Sequence, residues 1–160
     1  MLERWLREPH IAEWWGDDVL ASLEEIIEAA ESIDTEPLIV EVDDHPIAYL
    51  QIHDPHLEDG HPYQDQPFGT LGIDMMIGDA ALLGQGHGSA MLSDISERLL
   101  AEGAPRVIID PHPENLRSIR ACEKAGFTEI DRRASIFGEV VIMAKIADES
   151  GQAIPDPVAG

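Results

Sequence analysis

The sequence predicts a single α+β domain built around a mixed sheet. Candidate elements follow one another in the order helices, hairpin, strand, helix, strand, helix, hairpin. The chain has 160 residues, of which 44% are hydrophobic, and this is enough for one buried core but too short for two ordinary domains. A glycine-rich loop between a strand and a helix is a third observation that favours this fold class. We expect the domain to span residues 1–147, and we expect residues 148–160, rich in Pro, Gly and Ala, to form a flexible tail.

Helices and a hairpin are expected in the first part of the chain. Apolar residues recur at steps of one, three and four after the first two tryptophan-containing segments, which predicts an amphipathic helix. Two apolar runs then flank an Asp-Asp-His-Pro turn signal. The predicted elements are helical character over residues 5–15 with an interruption at Pro9, a helix over 19–31, strands over 37–42 and 47–53, a turn over 43–46, and a polar loop over 54–66.

The second part of the chain alternates strands and helices before a final hairpin. An Asn precedes one helix as an N-cap, and a Gly ends it. The predicted elements are strands over residues 70–77 and 106–110, a helix over 90–100, a helix from the cap Asn115 to Ala125, and strands over 127–132 and 139–146 around a turn near Phe137 and Gly138.

The loop Gly84-Gln85-Gly86-His87-Gly88-Ser89 joins the predicted strand over 70–77 to the following helix. Three glycines in five residues let the backbone approach a ligand, so that successive N–H groups converge on a phosphate at the positive end of the helix dipole. This pattern favours a nucleotide-type cofactor. Alternating glycines also make ordinary turns, and the pattern by itself leaves both interpretations open.

The charge balance is strongly acidic, with 32 Asp and Glu against 10 Lys and Arg and a formal net charge of −22. This argues against nucleic acid or an anionic membrane as a partner and leaves cationic small molecules. A solvated, salt-adapted surface explains the acidity equally well. Three of the ten basic residues, Arg117, Arg120 and Lys124, have the spacing of one helix face, where they suit a bound polyanion.

The sequence also bears on location. No run approaches the roughly 18 apolar residues of a membrane span, and the N-terminal segment lacks the features of a secretory signal. The single cysteine, Cys122, forms no internal disulfide. We therefore expect a cytoplasmic protein.

Residues 115–127 read N-L-R-S-I-R-A-C-E-K-A-G-F, and this run after a strand, a glycine loop and a helix resembles the GNAT N-acetyltransferase superfamily. Further motifs are similar to the aminoglycoside 6′-N-acetyltransferases: H-I-A-E-W-W-G over 10–16, P-I-A-Y over 46–49, G-I-D over 72–74 and D-P over 110–111. The resemblance covers roughly residues 5–145. It implies a GNAT-like, mainly antiparallel sheet flanked by helices, and acetyl transfer from acetyl-CoA to a primary amine of a cationic acceptor, an aminoglycoside, by direct attack in a ternary complex.

The resemblance also implies a cofactor site. The pyrophosphate of acetyl-CoA would lie on the amides of the glycine loop, and Asn115 would hold the pantetheine arm unless it is only a helix cap. Leu83 stands where the family consensus has Arg or Gln, so we expect reduced polarity there and not lost binding. The cofactor-binding candidates are Leu83, Gln85, Gly86, His87, Gly88, Ser89, Asn115 and Arg120.

Acetyl transfer needs a neutral amine, whereas an alkyl ammonium with a pKa of roughly 9–10 is mostly charged at pH 7. Asp74 matches the proposed base of the resembling enzymes, and its alternative is an exposed strand residue. Asp110, at the end of the next strand, is a candidate amine-binding carboxylate or a turn cap. We expect the strands over 70–77 and 106–110 to splay apart and admit the acyl arm.

Cys122 stands where the superfamily usually offers a tyrosine as general acid. Its thiol is a candidate proton donor to the leaving CoA, and the alternative is a small core side chain. Trp14 and Trp15 are candidates for a substrate lid, or they fill space between the first helices and the sheet.

Histidines and acids in and directly before the loop over 54–66 superficially suggest a metal site: His53, Asp54, His56, Glu58, Asp59 and His61. No pair of them has ligand spacing on a helix or strand, so we expect a solvated acidic loop and no metal. The resembling enzymes begin with a β-strand, and this chain starts too late to supply it. Either that strand is dispensable, or its absence exposes a sheet edge that another subunit covers, and on the second alternative we expect a homodimer. The alternative functions are acylation of a siderophore precursor or polyamine, and CoA binding without turnover.

Overall fold

In the computed structural model, which describes residues 1–136 and 138–147, six strands form one sheet. They are β1 (Thr35–Val42), β2 (His45–His53), β3 (Leu71–Ile77), β4 (Arg106–Ile109), β5 (Thr128–Ser135) and β6 (Gly138–Ile146). The strand order is β1-β2-β3-β4-β6-β5, and β3 pairs with β4 in parallel while the other neighbours are antiparallel. The mixed, mainly antiparallel sheet expected from the sequence is confirmed.

Helices flank this sheet as expected. They are α1 (Leu2–Leu6), α2 (Pro9–Trp15), α3 (Val19–Glu31), α4 (His87–Ala101) and α5 (Leu116–Lys124), with a 3₁₀ turn at Ala80–Leu82. Helix α4 begins three residues earlier than predicted. The reason is that Gly86 takes the left-handed conformation, with φ of 84°, and serves as the N-cap, so the end of the glycine loop forms the first turn of the helix.

The hairpin between β1 and β2 is tighter than the sequence predicted. Asp43 and Asp44 both have positive φ, 51° and 65°, and Val42 pairs directly with His45. Two central residues with positive φ are typical of a type I′ turn, whose twist matches that of the strands. Strand β2 therefore starts at His45, two residues before the predicted start.

The hairpin at the other end of the sheet is longer than predicted. Strand β5 reaches Ser135, which pairs with Gly138, whereas the sequence predicted an end at residue 132. Its residues are mostly polar and give little strand signal in the sequence, and the extended conformation is imposed by pairing with β6. Phe137 of the predicted turn and the predicted tail over 148–160 lie outside the described residues.

Apolar side chains cover both faces of the sheet. One face packs against α4 and α5, with Ile73, Val107 and Phe127 fully buried between them. On the opposite face, α1 to α3 pack over Tyr49 and Met76, and the loop over 54–70 covers the rest. Because side chains alternate along a strand, Asp74 belongs to the second face.

Strands β3 and β4 separate soon after they meet. Their parallel pairing consists of Leu71 with Val107 and Gly72 with Ile108, although β3 continues to Ile77. The predicted splaying of these strands is confirmed, and it opens the sheet beside Asp74 and Asp110.

The last two features of the fold are the edge of the sheet and the character of the helices. Strand β1 is one edge of the sheet, and helix α1 begins at Leu2, so no strand precedes it in the described residues. Within the same residues, every helix is too short or too polar to cross a membrane.

Candidate active site

A cleft of about 910 Å³ lies where β3 and β4 part, between α2, α3 and the loop over 54–70. Among the described residues, no Lys or Arg lines it, and nine carboxylates do: Glu13, Glu25, Glu28, Asp34, Glu58, Asp74, Asp110, Glu114 and Glu139. Low-dielectric walls around charges of one sign concentrate ions of the opposite sign. The cleft is thus suited to a ligand with several positive charges.

Asp74 projects from β3 into this cleft and is about one-third exposed, at 34%. The antiparallel register places Gln51 of β2 opposite Asp74, and the Gln51 amide donates a hydrogen bond to Asp74 Oδ2 across 2.9 Å. The hydroxyl of Tyr49 donates to Gln51 Oε1 across 2.7 Å. These two hydrogen bonds in series orient the Asp74 carboxylate. Burial, together with the charge of Asp74, raises the pKa of Tyr49 to about 12.

Asp110 lies just past the end of β4, and its carboxylate accepts a hydrogen bond from the hydroxyl of Tyr63 across 2.5 Å. Burial first and the charge of Asp74 second raise the pKa of Asp110 to about 7. Burial and the neighbouring Asp110 also raise the pKa of Tyr63. The charge of the Asp110 carboxyl is therefore sensitive to pH near neutrality, and a perturbed carboxyl group in a cleft is a candidate functional group.

The two tryptophans sit at the end of α2 and line the cleft. The Trp14 ring lies 5.4 Å from that of His112 and is 37% exposed. Trp15 contacts Tyr49 edge-on, with centroids 6.2 Å apart. Trp15 also packs on the buried cluster under α1 to α3, so both roles expected from the sequence are compatible with its position.

The glycine loop presents main-chain amides at the start of α4. Gly84 and Gly86 have φ of 76° and 84°, a region that glycine enters without strain. No side chain caps this helix end, and the first amides of a helix lack partners within it. Gln85 donates its amide hydrogen to Ala81 O, and Ser89 donates its hydroxyl to Gly86 O. These two side chains thus bond within the loop, and the start of a helix is in general a favourable place for an anion.

Helix α5 runs beside the start of α4. A Cβ at Gly88 would lie 3.7 Å from Cβ of Ala121, which shows how close the two helices are. Asn115 caps α5 by accepting from the Ser118 amide across 3.3 Å, and it also lines the cleft. Arg117, Arg120 and Lys124 are exposed, and none of them forms an ion pair with another described residue.

The sheet, its flanking helices and the glycine loop together match a known family. The family model described as an acetyltransferase (GNAT) domain matches residues 1–134. The chain belongs to the GNAT acetyltransferase family.

Relatives of this acetyltransferase include proteins named aminoglycoside N(6′)-acetyltransferase type 1 from Klebsiella pneumoniae and Serratia marcescens. Each is 35% identical over 155 residues, which is 91% of this chain and 76% of the relative. The solved structure of AAC(6′)-Ib in complex with paromomycin and acetyl-CoA has a TM-score of 0.82 and 32% identity, covering 91% of this chain and 86% of that chain. The complex of AAC(6′)-Ib with coenzyme A and kanamycin has a TM-score of 0.82 at 31% identity, with coverages of 91% and 87%.

In this acetyltransferase, Cys122 is fully buried at 0% exposure, in the core cluster beneath α4 and α5. Burial raises the pKa of its thiol to about 12, although a hydrogen bond with Ser118 acts in the opposite direction. The thiol stays protonated, which suits a donor, but it is a weak acid. Burial and the raised pKa favour the small core side chain over the proton donor.

Leu83 ends the 3₁₀ turn and is half-buried, so its apolar side chain completes the loop that carries the amides. Among residues 1–136 and 138–147, no three His, Cys, Asp or Glu side chains gather in a way that would hold a metal ion. The six histidines and acids named above form no such group, and the absence of a metal stays a prediction.

Gln51, Tyr63 and His53 are site residues that sequence reasoning missed. The hairpin pattern contained a signal for Gln51, because the register of β2 on β3 places it opposite Asp74. Tyr63 lies in an irregular loop, 47 residues from its partner Asp110, and no periodicity reports that contact.

Proposed function

We propose that this acetyltransferase moves the acetyl group of acetyl-CoA to a primary amine of an aminoglycoside. The observation that carries the proposal is the nearness of two sites: the acidic cleft opens where β3 and β4 part, and Met75 of β3, which lines this cleft, also lies beside Gly88 of the glycine loop. A polycation and an activated acyl group are thereby brought to one place. Kanamycin, paromomycin and coenzyme A, the ligands bound in the similar solved structures, support this choice.

Acetyl-CoA binds through the main chain. Its diphosphate accepts hydrogen bonds from the amides of the loop between Gln85 and Ser89 at the positive end of α4. Arg120, with Arg117 and Lys124 on the same helix, adds positive charge in an otherwise acidic protein. Asn115 lines the cleft, and its side-chain amide would hold the pantetheine arm.

The acceptor binds through carboxylates. Asp74 attracts the ammonium group and takes up its proton, which leaves a neutral nitrogen to attack the thioester. Gln51 holds one oxygen of Asp74 in place during this transfer. Asp110 binds a second part of the cation, and the positive charge favours its ionised form. Trp14 and Trp15 cover the ligand from α2.

Direct attack in a ternary complex is the route that fits these residues. A covalent acetyl-enzyme needs an accessible nucleophile. Cys122 is the single cysteine of the sequence, and it is fully buried in the core. A proton for the departing CoA thiolate then comes from solvent or from Cys122, and replacement of Cys122 decides between these sources.

Release of free CoA thiol, followed spectrophotometrically with a panel of amines, tests the function. The panel contains kanamycin, ribostamycin, spermidine and a lysine-derived siderophore precursor, each at pH 7.5 with saturating acetyl-CoA. We expect turnover with the aminoglycosides. Turnover restricted to spermidine or the siderophore precursor contradicts the substrate, whereas CoA binding without any turnover contradicts the enzyme.

We further propose that the protein forms a homodimer through β1. This strand pairs with β2 on one side and is the edge of the sheet on the other, and its side chains Ile39 and Val42 are about 40% exposed. Unpaired strand edges readily accept another strand. Sedimentation at micromolar concentration is expected to show a dimer, and a monomer there removes the proposal. A cytoplasmic location stays a prediction of the sequence.

A further inference from the structure

His53 ends β2 and lies directly over a glycine of the neighbouring strand. The antiparallel register pairs His53 with Gly72, and a Cβ at Gly72 would stand 2.3 Å from the imidazole ring. The ring therefore occupies the space that any other residue at position 72 would fill. This position places it on the same face of the sheet as Asp74.

One ring nitrogen of His53 has no hydrogen-bond partner. Nδ1 is buried, and its nearest charged atom is Asp74 Oδ2 at 3.5 Å. The whole side chain is only 13% exposed. Buried polar atoms without partners are rare and call for an explanation. A nitrogen held beside a catalytic carboxylate is explained if it accepts a proton.

The neighbouring His61 is not suited to that role. Its Nδ1 accepts a hydrogen bond from the Tyr63 amide, so its proton resides on Nε2. Burial first and the proximity of His53 second lower the pKa of His61, which keeps it neutral. The His61 ring stacks on His53 with centroids 5.5 Å apart, and it thereby fixes the orientation of the His53 ring.

We propose that His53 is the second proton acceptor of the reaction, receiving at Nδ1 the proton that Asp74 takes from the substrate ammonium. This inference rests on the proposed function. One N–H bond of the ammonium breaks, the proton passes to Asp74 and then to His53, and the positive charge ends on the imidazolium. Asp74 returns to its carboxylate form and stabilises that imidazolium, which releases the proton to solvent. Imidazole is the side chain that ordinarily changes charge between pH 5 and 8.

The charges around His53 favour this exchange. The groups that face or influence it are Asp74 from β3, Asp34 before β1, Asp110 after β4, and His61 from the loop. Three of these are acids, and His61 is kept neutral. A charged imidazolium is therefore surrounded by more opposite than like charge.

The kinetic test compares His53→Ala and His53→Gln with wild type and with His45→Ala. His45 is exposed at the other end of the same strand and serves as the matched control. We expect both His53 variants to lose at least tenfold in kcat/KM at pH 7, and free imidazole to restore His53→Ala but not His53→Gln. Wild-type kcat/KM in folded His53→Gln from pH 5.5 to 9 overturns the proposal, as does folded His53→Ala that imidazole does not rescue.

A second measurement needs no turnover and separates this inference from the proposed function. The ring nitrogens of His53 are followed by ¹⁵N NMR in wild type and Asp74→Asn at one fixed pH. We expect the Nδ1 resonance to move in Asp74→Asn, because the carboxylate that faces this nitrogen across 3.5 Å is gone. An Nδ1 resonance that stays in place overturns the relay even if the wild type acetylates aminoglycosides. Lack of turnover in the wild type counts against the proposed function, and the NMR comparison still decides whether Asp74 acts on His53.

Discussion

Tyr63 and Asp110 are joined by a hydrogen bond of 2.5 Å that ties the loop over 54–70 to the end of β4. The same loop is held from β5 by Arg133, which donates to Pro62 O and to the Asp65 carboxylate and lies 5.8 Å from the centre of the Tyr63 ring. The wall of the cleft is thus attached at two points, although it contains no regular secondary structure.

Replacement of Tyr63 by Phe should move the pH profile of the enzyme. The Tyr63 hydroxyl lowers the pKa of Asp110, which burial and Asp74 have raised to about 7. Without the hydroxyl, that pKa rises further, so less of Asp110 is ionised at neutral pH. We expect the acid limb of kcat/KM to shift to higher pH, with a rising KM for the amine below pH 8. A profile that coincides with wild type contradicts the assigned role of Asp110.

Replacement of Asp110 by Asn should stabilise the ligand-free protein at high pH. The pKa of Asp110 is raised from 3.8 to about 7 in the fold, so the folded state holds a proton that the unfolded state releases. Stability from this group is complete below pH 3.8 and is lost as the pH rises to about 7. We expect the Tm of Asp110→Asn to exceed that of wild type by several degrees at pH 8, and by less at pH 5.

The control for this comparison is Asp94→Asn, an exposed position on α4. Its Tm at each pH is the reference for the loss of one carboxylate from the surface. A Tm difference for Asp110→Asn that is equal at pH 5 and pH 8 is inconsistent with the raised pKa.

Asp74→Asn should reduce kcat by about 10²–10⁴-fold, because general base catalysis contributes roughly that much. The amide keeps the shape of the side chain but takes up no proton. The measurement is the steady-state rate from pH 6 to 9 with saturating acetyl-CoA. Asp44→Asn is the control, since Asp44 lies in the exposed hairpin turn and Asn tolerates its positive φ. An Asp74→Asn rate that equals wild type across this range removes Asp74 from the base role.

Gly86→Ala should weaken acetyl-CoA binding by about tenfold. An alanine at φ of 84° is strained by roughly 1–2 kcal/mol, and the amides of the loop turn away from the diphosphate as that strain relaxes. Calorimetric titration with CoA gives the Kd. Gly103→Ala places the same strain, at φ of 115°, beyond the other end of α4, where no atom lies within 4 Å of the added Cβ. Equal losses of CoA affinity in both variants would show that strain alone is responsible.

Cys122→Ala should cost about 1 kcal/mol of stability and leave kcat within about threefold of wild type. The thiol is buried in the core, and its pKa of about 12 makes it a poor proton donor to a thiolate. Chemical denaturation and steady-state kinetics with the aminoglycoside measure the two quantities. A loss of 10²-fold or more in kcat without loss of fold would instead assign proton donation to Cys122.

The sequence by itself determined the order of the elements, the glycine loop and the cap of α5. These features rest on contacts between residues a few positions apart: apolar periodicity in α3, positive φ at Gly84 and Gly86, and an Asn115 side chain that reaches an amide three residues on. It also determined the excess of acidic residues, from which a cationic ligand was expected. The family motifs pointed to Asp74 and Asp110 for the same reason, since Asp74 lies within a recognisable strand and Asp110 directly follows one.

Only the tertiary structure decided which groups surround those carboxylates. Gln51 and His53 reach Asp74 because of the register between β2 and β3, and Tyr63 reaches Asp110 because the loop folds back over the sheet. Such contacts join residues 21 to 47 positions apart in the sequence, where local propensity carries no information. The unpartnered nitrogen of His53 arises in the same way. Sheet register and loop packing, which minimise the free energy of the whole chain, set the distances on which the proton chemistry depends.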